Sequence, residues 1–408
     1  MLTPVLVLPK SFFNGNGIFN TLVVLMLLLA SKSMLAVENN KFQPILVQSV
    51  INEQGDVKGL DNVRNLALMV NSSKLAAVSA DDNALSILDF TPNSLLTFNQ
   101  VVYSKDVQNQ LEGAVGLVTA NQGRDLFVTS FYSGSLTHFS KNDEGEYELN
   151  QIFSDGVDKT RIFVGGERIN RNEDKLGLLG VYDVTSIEMK GLLFSVSYSS
   201  GTVVSWSADD NGKYSRMQEV NSSQYAHLAG VQAIASDNQS QLAAVSAQTN
   251  TVILFEVDHN NQLKHGQVID MADIGNNERP VTSQFLSPNL LLVANKSAVL
   301  MFRKAQGGRF KFIKNLTNQQ SRDIGNVNRM TLSPNGKMLA LSSETQNVLY
   351  FFTRNDTGYW NYHADLKVQL NNGEDVIGTS SVAFMKDGHF LFTSHSEEDA
   401  INVYELRK

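Results

Sequence analysis

One short pattern occurs seven times along this chain and constrains its fold more than any other feature. Each copy is an apolar strand, a polar turn, a second apolar strand ending in a small polar residue, a short turn and a third apolar strand. The small polar residues recur at intervals of 48–67 residues, at Ser79, Ser130, Ser197, Ser246, Asn295, Ser343 and Ser394. A period of about 50 residues built from short strands is typical of a β-propeller with one four-stranded blade per repeat. The pattern therefore predicts an all-β, seven-bladed β-propeller.

The strand that closes the predicted ring lies before the first repeat. The last repeat ends after its third strand, residues 400–406. Residues 42–50 resemble the fourth strand of the first repeat, residues 95–103. We therefore predict that residues 45–50 form the outermost strand of blade seven. Such a closure leaves no exposed edge between the first and last blades.

Composition indicates one repeat domain and excludes several classes of function. The net charge is -8 with no run of lysine or arginine, so nucleic acid is not an expected partner. The chain has no cysteine, which excludes disulfides, thiolate metal sites and a cysteine nucleophile. Repeat folds outgrow the usual domain size, and we assign residues 37–408 to a single ring. A closed ring needs no second copy, so we expect a monomer without a cofactor.

Residues 1–36 have the pattern of a targeting segment. Lys10 is the only charged residue before the apolar run 22–30. A run of this length is too short to cross a bilayer comfortably and is typical of a signal-peptide core. We therefore expect an exported protein, periplasmic or secreted. The alternative is an uncleaved anchor, in which case the membrane is contacted only through this segment.

Three repeats resemble a known family. Residues 333–342, Ser-Pro-Asn-Gly-Lys-Met-Leu-Ala-Leu-Ser, followed by Asn-Val-Leu-Tyr-Phe at 347–351, resemble the repeat of the bacterial YVTN and lactonase-like seven-bladed propellers. Residues 75–88 and 242–255 match the same template. The motifs specify turns and strands, so the resemblance implies the fold and identifies no catalytic residue. The family includes phosphogluconolactonase-type hydrolases and proteins that only bind, and its fold does not decide between them.

Charged residues near the predicted channel mouth are candidate ligand contacts. In a propeller, the connections between blades and the turns between second and third strands share one face, here called the upper face. Arg64, Arg279 and Arg329 lie near the starts of first strands, and a guanidinium fork binds carboxylate or phosphate bidentately. Asp82 and Glu398 occur in upper-face loops, where a ring of both charges would suit an anionic sugar acid or a cation. The alternatives are arginines that cap loop carbonyls and acids that are solvated loop charges.

His395 is a weak candidate for a general base. It follows Ser394 in the predicted surface turn of blade seven, and ester hydrolysis needs a base that activates water near neutral pH. No Gly-x-Ser-x-Gly or His-Glu-x-x-His motif accompanies it. The oxygen-rich triplets 81–83 and 397–399 do not continue into a calcium-binding loop, so we predict no metal site.

The connection between blades two and three, residues 154–180, is the longest irregular segment. It is highly charged but contains two short apolar stretches, which predict a small extra hairpin over the upper face. Long loops on a rigid scaffold often carry function, so a lid or a partner-docking element is one interpretation. A tolerated insertion is the other.

Two functions remain open from the sequence. The first is a ligand-binding or protein-interaction scaffold that uses the upper face, with a protein or a small anionic ligand as partner. The second is a hydrolase of sugar-acid lactones, in which arginines bind the acid and a carboxylate or His395 activates water. A carboxylate–histidine pair in the channel would favour the hydrolase.

Overall fold

The structure, a computed structural model, describes residues 43–69, 73–91, 95–158, 160–164, 166–167, 170, 172–317, 324 and 326–407. Within these residues the chain forms 28 strands in seven four-stranded antiparallel sheets. The first strands of successive sheets contact one another around a central axis, and the first strand of blade seven contacts that of blade one. The predicted seven-bladed propeller is therefore confirmed. The predicted targeting segment, residues 1–36, lies outside the described residues.

The strand boundaries follow the repeats. Blade one consists of β2 (Val63–Leu68), β3 (Lys74–Ser79), β4 (Ala84–Phe90) and β5 (Leu96–Tyr103). Blade two consists of β6 (Ala114–Ala120), β7 (Asp125–Ser130), β8 (Ser135–Lys141) and β9 (Tyr147–Ser154). Blade three consists of β10 (Val181–Ile187), β11 (Leu192–Ser197), β12 (Thr202–Ala208) and β13 (Tyr214–Asn221). Blade four consists of β14 (Val231–Ser236), β15 (Gln241–Ser246), β16 (Thr251–Val257) and β17 (Leu263–Asp270). Blade five consists of β18 (Pro280–Ser287), β19 (Leu290–Asn295), β20 (Val299–Lys304) and β21 (Phe310–Asn315). Blade six consists of β22 (Val327–Leu332), β23 (Met338–Ser343), β24 (Val348–Arg354) and β25 (Trp360–Lys367). Blade seven consists of β26 (Thr379–Phe384), β27 (Phe390–His395), β28 (Ala400–Arg407) and β1 (Gln43–Ile51).

The first described strand closes the ring. β1 pairs with β28, so the strand order of blade seven is β1–β28–β27–β26. The prediction that the segment before the first repeat completes the last blade is confirmed. Beside this pairing, the Asn52 N–H donates to the Asp399 carbonyl at 2.8 Å. Among the described residues, no helix is long and apolar enough to cross a membrane.

Each blade is packed between two neighbours, which explains why its strands are apolar on both faces. On β3, Leu75 and Ala77 lie in a core cluster with Phe392 of blade seven. Ala76, on the opposite face of the same strand, lies in a cluster with Leu126 of blade two. Because side chains alternate across a strand, continuous apolar runs supply both interfaces. The seven small polar residues that mark the repeat are all fully buried where the second strands end.

A glutamine in the outer strand joins most pairs of consecutive blades. The Gln100 side chain donates to the Tyr147 carbonyl at 2.8 Å and accepts the Tyr147 N–H at 3.0 Å. The same two-bond clasp joins Gln48 to Leu96, Gln151 to Tyr214, Gln218 to Leu263 and Gln267 to Phe310. Lys314 and Ala364 occupy this position in blades five and six. The blade five–six and six–seven interfaces therefore lack the glutamine clasp.

The described residues of the connection between blades two and three do not form the predicted hairpin. Thr160–Val164 form a single π-helical turn instead. Further along, the Asp155 carboxylate accepts the backbone N–H groups of Lys175 and Leu176 at 2.9–3.0 Å. The hairpin prediction is wrong because local hydrogen bonds and a helical turn satisfy this backbone without strand pairing.

Candidate functional site

A β-bulge at the same position of every first strand builds the mouth of the central channel. In each blade the pairing of the first and second strands skips the second residue of the first strand. Bulges re-aim side chains, and here they direct all seven into one cavity of about 100 Å³. The seven bulge residues are Arg64, Val115, Tyr182, Gln232, Val281, Asn328 and Ser380.

Two of the predicted arginines meet in this cavity. Arg64 from blade one and Arg329 from blade six both line it, together with Glu344. Arg64 Nη1 lies 3.5 Å from Glu344 Oε1, and Arg329 Nη1 lies 3.9 Å from Asp183 Oδ2. Charge-assisted hydrogen bonds are usually about 2.7–2.9 Å long. Both guanidiniums are therefore held loosely by their acids, and within the described residues neither donates to a loop carbonyl.

Below the mouth, the channel widens into a second polar cavity of about 240 Å³. Arg329 lines both cavities, and Asp183 faces it from the opposite side of the ring. The Asp183 carboxylate is buried and accepts the N–H groups of Val184 and Ile234, each at 3.0 Å. Burial raises the pKa of Asp183, although Arg329 and the two N–H donors oppose the shift.

Asp183 is not among the predicted site residues, because the predicted acids are loop charges and Asp183 lies on a strand. Asp183 is the third residue of β10, immediately after the bulge. An acid inside an otherwise uncharged first strand is the available signal, since a buried ionisable residue needs a partner. Its partner, Arg329, is the third residue of β22 in blade six.

The other predicted ligand contacts lie outside the channel cavities. Arg279 is exposed just before β18. The Asp82 carboxylate accepts the Asp61 N–H at 2.9 Å and an Asn52 side-chain N–H at 3.1 Å. Glu398 accepts the Ile377 N–H at 2.6 Å. The two acids thus hold upper-face loops in place, and the structure does not bring them together with Arg64 and Arg329.

His395 does not lie in a surface turn, so that prediction is wrong. It is the last residue of β27 and is fully buried. Its ring nitrogens contact two threonine hydroxyls, Thr379 Oγ1 at 3.3 Å and Thr393 Oγ1 at 2.9 Å. Burial lowers the pKa of His395 to about 3. A general base must reach its substrate, and His395 lines neither channel cavity.

In the described part of the chain, no group of three histidines or carboxylates is arranged to hold a metal ion. No histidine lines either channel cavity. Among the described residues that line the two cavities, the charged side chains are therefore two arginines and two carboxylates, Arg64, Arg329, Asp183 and Glu344.

Comparison with known proteins agrees with this architecture. No protein-family model matches the chain, and no curated protein sequence matches it. A structure from Bacteroides fragilis, described as a candidate 6-phosphogluconolactonase, is similar with a TM-score of 0.59 at 14% identity, covering 84% of this chain and 89% of the other. One from Bacteroides uniformis with the same description has a TM-score of 0.58 at 17% identity, covering 78% and 88%. A Lactobacillus plantarum protein gives 0.56 at 11% identity, covering 78% and 87%.

These similarities concern the fold. Identities of 11–17% leave the functional residues free to differ. The resemblance to lactonase-like seven-bladed propellers, stated from three repeats, is confirmed at the level of architecture by two of these neighbours.

Proposed function

We propose that this protein is an exported ligand-binding propeller that binds a small anionic molecule at its channel mouth through Arg64 and Arg329. The observation that carries the proposal is that both guanidiniums line one cavity while their acids stay 3.5 and 3.9 Å away. Export rests on the targeting pattern of residues 1–36. A sugar acid is the ligand class that fits best.

The chemistry of the two cavities supports a ligand with an acid group and hydroxyl groups. A carboxylate or phosphate fits the mouth, where the arginine forks supply several N–H donors. Glu344 and Asp183 would then accept O–H groups of the ligand. The deeper cavity of about 240 Å³ has room for a hydroxylated body below the acid group.

A second candidate is the hydrolysis of sugar-acid lactones. Two similar structures are described as candidate 6-phosphogluconolactonases, and Asp183 supplies a buried carboxylate in the channel. Water would add to the lactone carbonyl as Asp183 takes its proton, and the ring C–O bond would then break as Asp183 returns that proton to the leaving ring oxygen. The products are an alcohol and a carboxylic acid, which loses its proton to solvent. The raised pKa of Asp183 suits a base, because burial disfavours its charged form.

Calorimetric titration of the full chain with sugar acids, their lactones and uncharged sugars tests the first candidate. We expect sugar acids to bind and Arg64→Gln or Arg329→Gln to weaken binding about ten- to a hundredfold, because a hydrogen bond to a charged group contributes about 1.5–3 kcal/mol. Arg279→Gln is the matched control, since it removes an exposed upper-face arginine outside both cavities. Binding that is equal in all three variants, or absent from the whole panel, contradicts the proposal.

The same samples separate binding from hydrolysis. Lactone turnover above the spontaneous rate, abolished in Asp183→Asn while the sugar acid still binds, would support the hydrolase. Sugar-acid binding without turnover in the wild type supports the binding protein alone.

A further inference from the structure

Blade five carries a concentration of positive charge in an otherwise acidic protein. Between Arg279 and Arg322 the sequence has eight lysines and arginines and no aspartate or glutamate, whereas the whole chain has a net charge of -8. Apart from Arg303 and Lys304, the cations are separated along the sequence, so they do not form a run. The fold decides which of them lie together.

Two exposed arginines of neighbouring blades lie on the strand faces that meet at the blade five–six interface. Arg303 follows Met301 on β20 with one residue between them, and Met301 packs against blade six. Arg354 follows Phe352 on β24 with the same spacing, and Phe352 packs in the same cluster against blade five. Side chains two residues apart point to the same face of a strand. Arg303 therefore faces blade six, and Arg354 faces blade five.

The two guanidiniums line one cavity of about 520 Å³ at the end of the blades opposite the upper face. The side chains of Ser287 and Asn289 also line it and offer further hydrogen-bond donors. Within the described residues, neither Arg303 nor Arg354 has a hydrogen-bond or ion-pair partner on its side chain. Asp356 lies in the adjoining turn, is exposed, and does not line the cavity.

The interface between blades four and five has an acidic residue where the blade five–six interface has an arginine. There Glu256 and Lys304 occupy the corresponding positions and line a common cavity, so the charges are opposite. Lys304 Nζ also donates to the Gln241 side chain at 2.8 Å. At the blade five–six interface Leu290 replaces Gln241, and Arg354 faces an apolar residue. The like charges there have no compensating group from the described chain.

We propose that this cavity is a binding site for a phosphate or sulfate group held between Arg303 and Arg354. Two like charges that line one cavity repel each other, and an oxyanion bound there would replace that repulsion with charge-assisted hydrogen bonds to the two guanidinium forks. The site is independent of the channel mouth, because it lies on the opposite face and shares no residue with the channel cavities.

The same phosphate chemistry occurs in a free anion and in an anionic lipid headgroup. Tyr359 follows the cavity-lining Gly358 and is 63% exposed. Phe312 and Ile313, on the outer strand of blade five, are each 41% exposed. Exposed apolar side chains beside cations are the combination that binds anionic membrane surfaces, so both sources belong in the test.

The test is calorimetric titration of the full chain with inorganic phosphate and with sulfate, together with sedimentation with phosphatidylcholine vesicles that contain or lack phosphatidylglycerol. Because the channel mouth also fits phosphate, the anion titrations use the Arg64→Gln/Arg329→Gln variant as the background. In that background we expect one oxyanion site, weakened at least tenfold by Arg303→Gln or Arg354→Gln. The control is Arg279→Gln, an exposed arginine at the upper-face end of the same blade. It should bind as the wild type does.

Stability provides a second measurement that does not need a ligand. In buffer free of oxyanions, Arg303→Gln should raise the thermal midpoint, because it removes the repulsion. Added phosphate should then raise the midpoint of the wild type more than that of the double variant Arg303→Gln/Arg354→Gln, which keeps only the channel mouth as an anion site.

Binding of phosphate and sulfate identifies a free anion as sufficient. Binding of phosphatidylglycerol vesicles alone, lost in the double variant, identifies the headgroup as the source. If neither the anions nor the vesicles bind the wild type, or the double variant binds them equally, the proposal is overturned. Arg64→Gln and Arg329→Gln should leave this binding intact, so its failure is distinguishable from failure at the channel mouth.

Discussion

At the scale of single residues, burial decides what His395 contributes. A histidine beside a serine and two glutamates has the composition of a hydrolytic site, yet β27 places its ring between two threonine hydroxyls in the interior. In the native state the side chain stays neutral because burial lowers its pKa to about 3. The buried His395 therefore affects the stability of the protein and does not act as a catalytic base.

His395 should make the protein sensitive to acid. An unfolded chain binds a proton at this histidine near pH 6.5, whereas the native state binds it only near pH 3. The free energy of unfolding should therefore fall as pH falls through this window, by at most about 1.4 kcal/mol per pH unit. In His395→Gln that contribution should vanish, which urea unfolding at pH 7, 6, 5 and 4 would measure.

The exposed His389 is the control for this experiment. His389→Gln should keep the wild-type dependence of stability on pH. Parallel curves for the wild type and His395→Gln would show that the buried ring does not resist protonation.

The arginines show the same dependence on position. Arg64 is a bulge residue and Arg329 follows one, and both reach the channel. Arg279 precedes its strand and remains exposed. All three sit near a first strand in the sequence, so a difference of two or three positions along that strand decides which of them reaches the channel.

At the scale of elements, consecutive outer strands are joined by a glutamine side chain that the repeat pattern does not include. The fifth residue of β5, β9, β13 and β17 is glutamine, and each clasps the first residue of the next outer strand. A single glutamine in a polar strand is not a recognisable motif. Its side-chain amide nevertheless donates to one backbone carbonyl and accepts one backbone N–H, as the peptide group of a paired strand does. The clasps therefore set the spacing of consecutive blades at their rim.

Removing one clasp should destabilise the ring measurably. Gln100→Ala leaves the N–H and carbonyl of Tyr147 without their side-chain partner. We expect a loss of about 1–3 kcal/mol, the range for leaving partly buried groups unsatisfied. The midpoint of chemical denaturation measures it, with Gln239→Ala as the control because Gln239 is exposed. Equal losses in the two variants would mean that the clasp does not contribute.

At the scale of the whole molecule, ring closure collects carboxylates where blades seven and one meet. The Asp399 side chain accepts the Asn62 N–H at 2.8 Å, and Asp82 accepts the Asp61 N–H at 2.9 Å. Burial and the neighbouring acids Asp399, Asp82 and Asp81 raise the pKa of Asp61 to about 6. The closure thus concentrates negative charge near neutral pH.

Asp61 should therefore lower stability above pH 6 and not below pH 4. The native state binds a proton at Asp61 near pH 6 and the unfolded chain near pH 3.8, so stability is lost as pH rises through that window. Asp61→Asn should stabilise the protein at pH 7.5 by about 0.5–1 kcal/mol, a value reduced for solvent screening. At pH 4 it should have little effect.

Thermal unfolding at the two pH values measures this difference. Asp56→Asn, an exposed acid in the same loop, is the control and should change stability equally at both. A gain for Asp61→Asn that does not depend on pH would contradict the electrostatic explanation.

The sequence by itself determined the number of blades, the order of their strands and the strand that closes the ring. Those properties depend on local patterns, because apolar runs of strand length and polar turns are encoded within each repeat. It also identified Arg64 and Arg329 as charges near the mouth. The sequence did not predict the burial of His395 or the π-helical turn in the connection after blade two.

Only the tertiary structure decided which side chains meet. Asp183 and Arg329 are opposed across the channel, and Arg303 and Arg354 line one cavity at a blade interface, although each pair is far apart in sequence. Those meetings depend on the bulge that re-aims first-strand residues and on the face that each strand presents to its neighbour. A shift of one residue reverses that face, so a repeat pattern predicts the ring long before it predicts the contacts inside it.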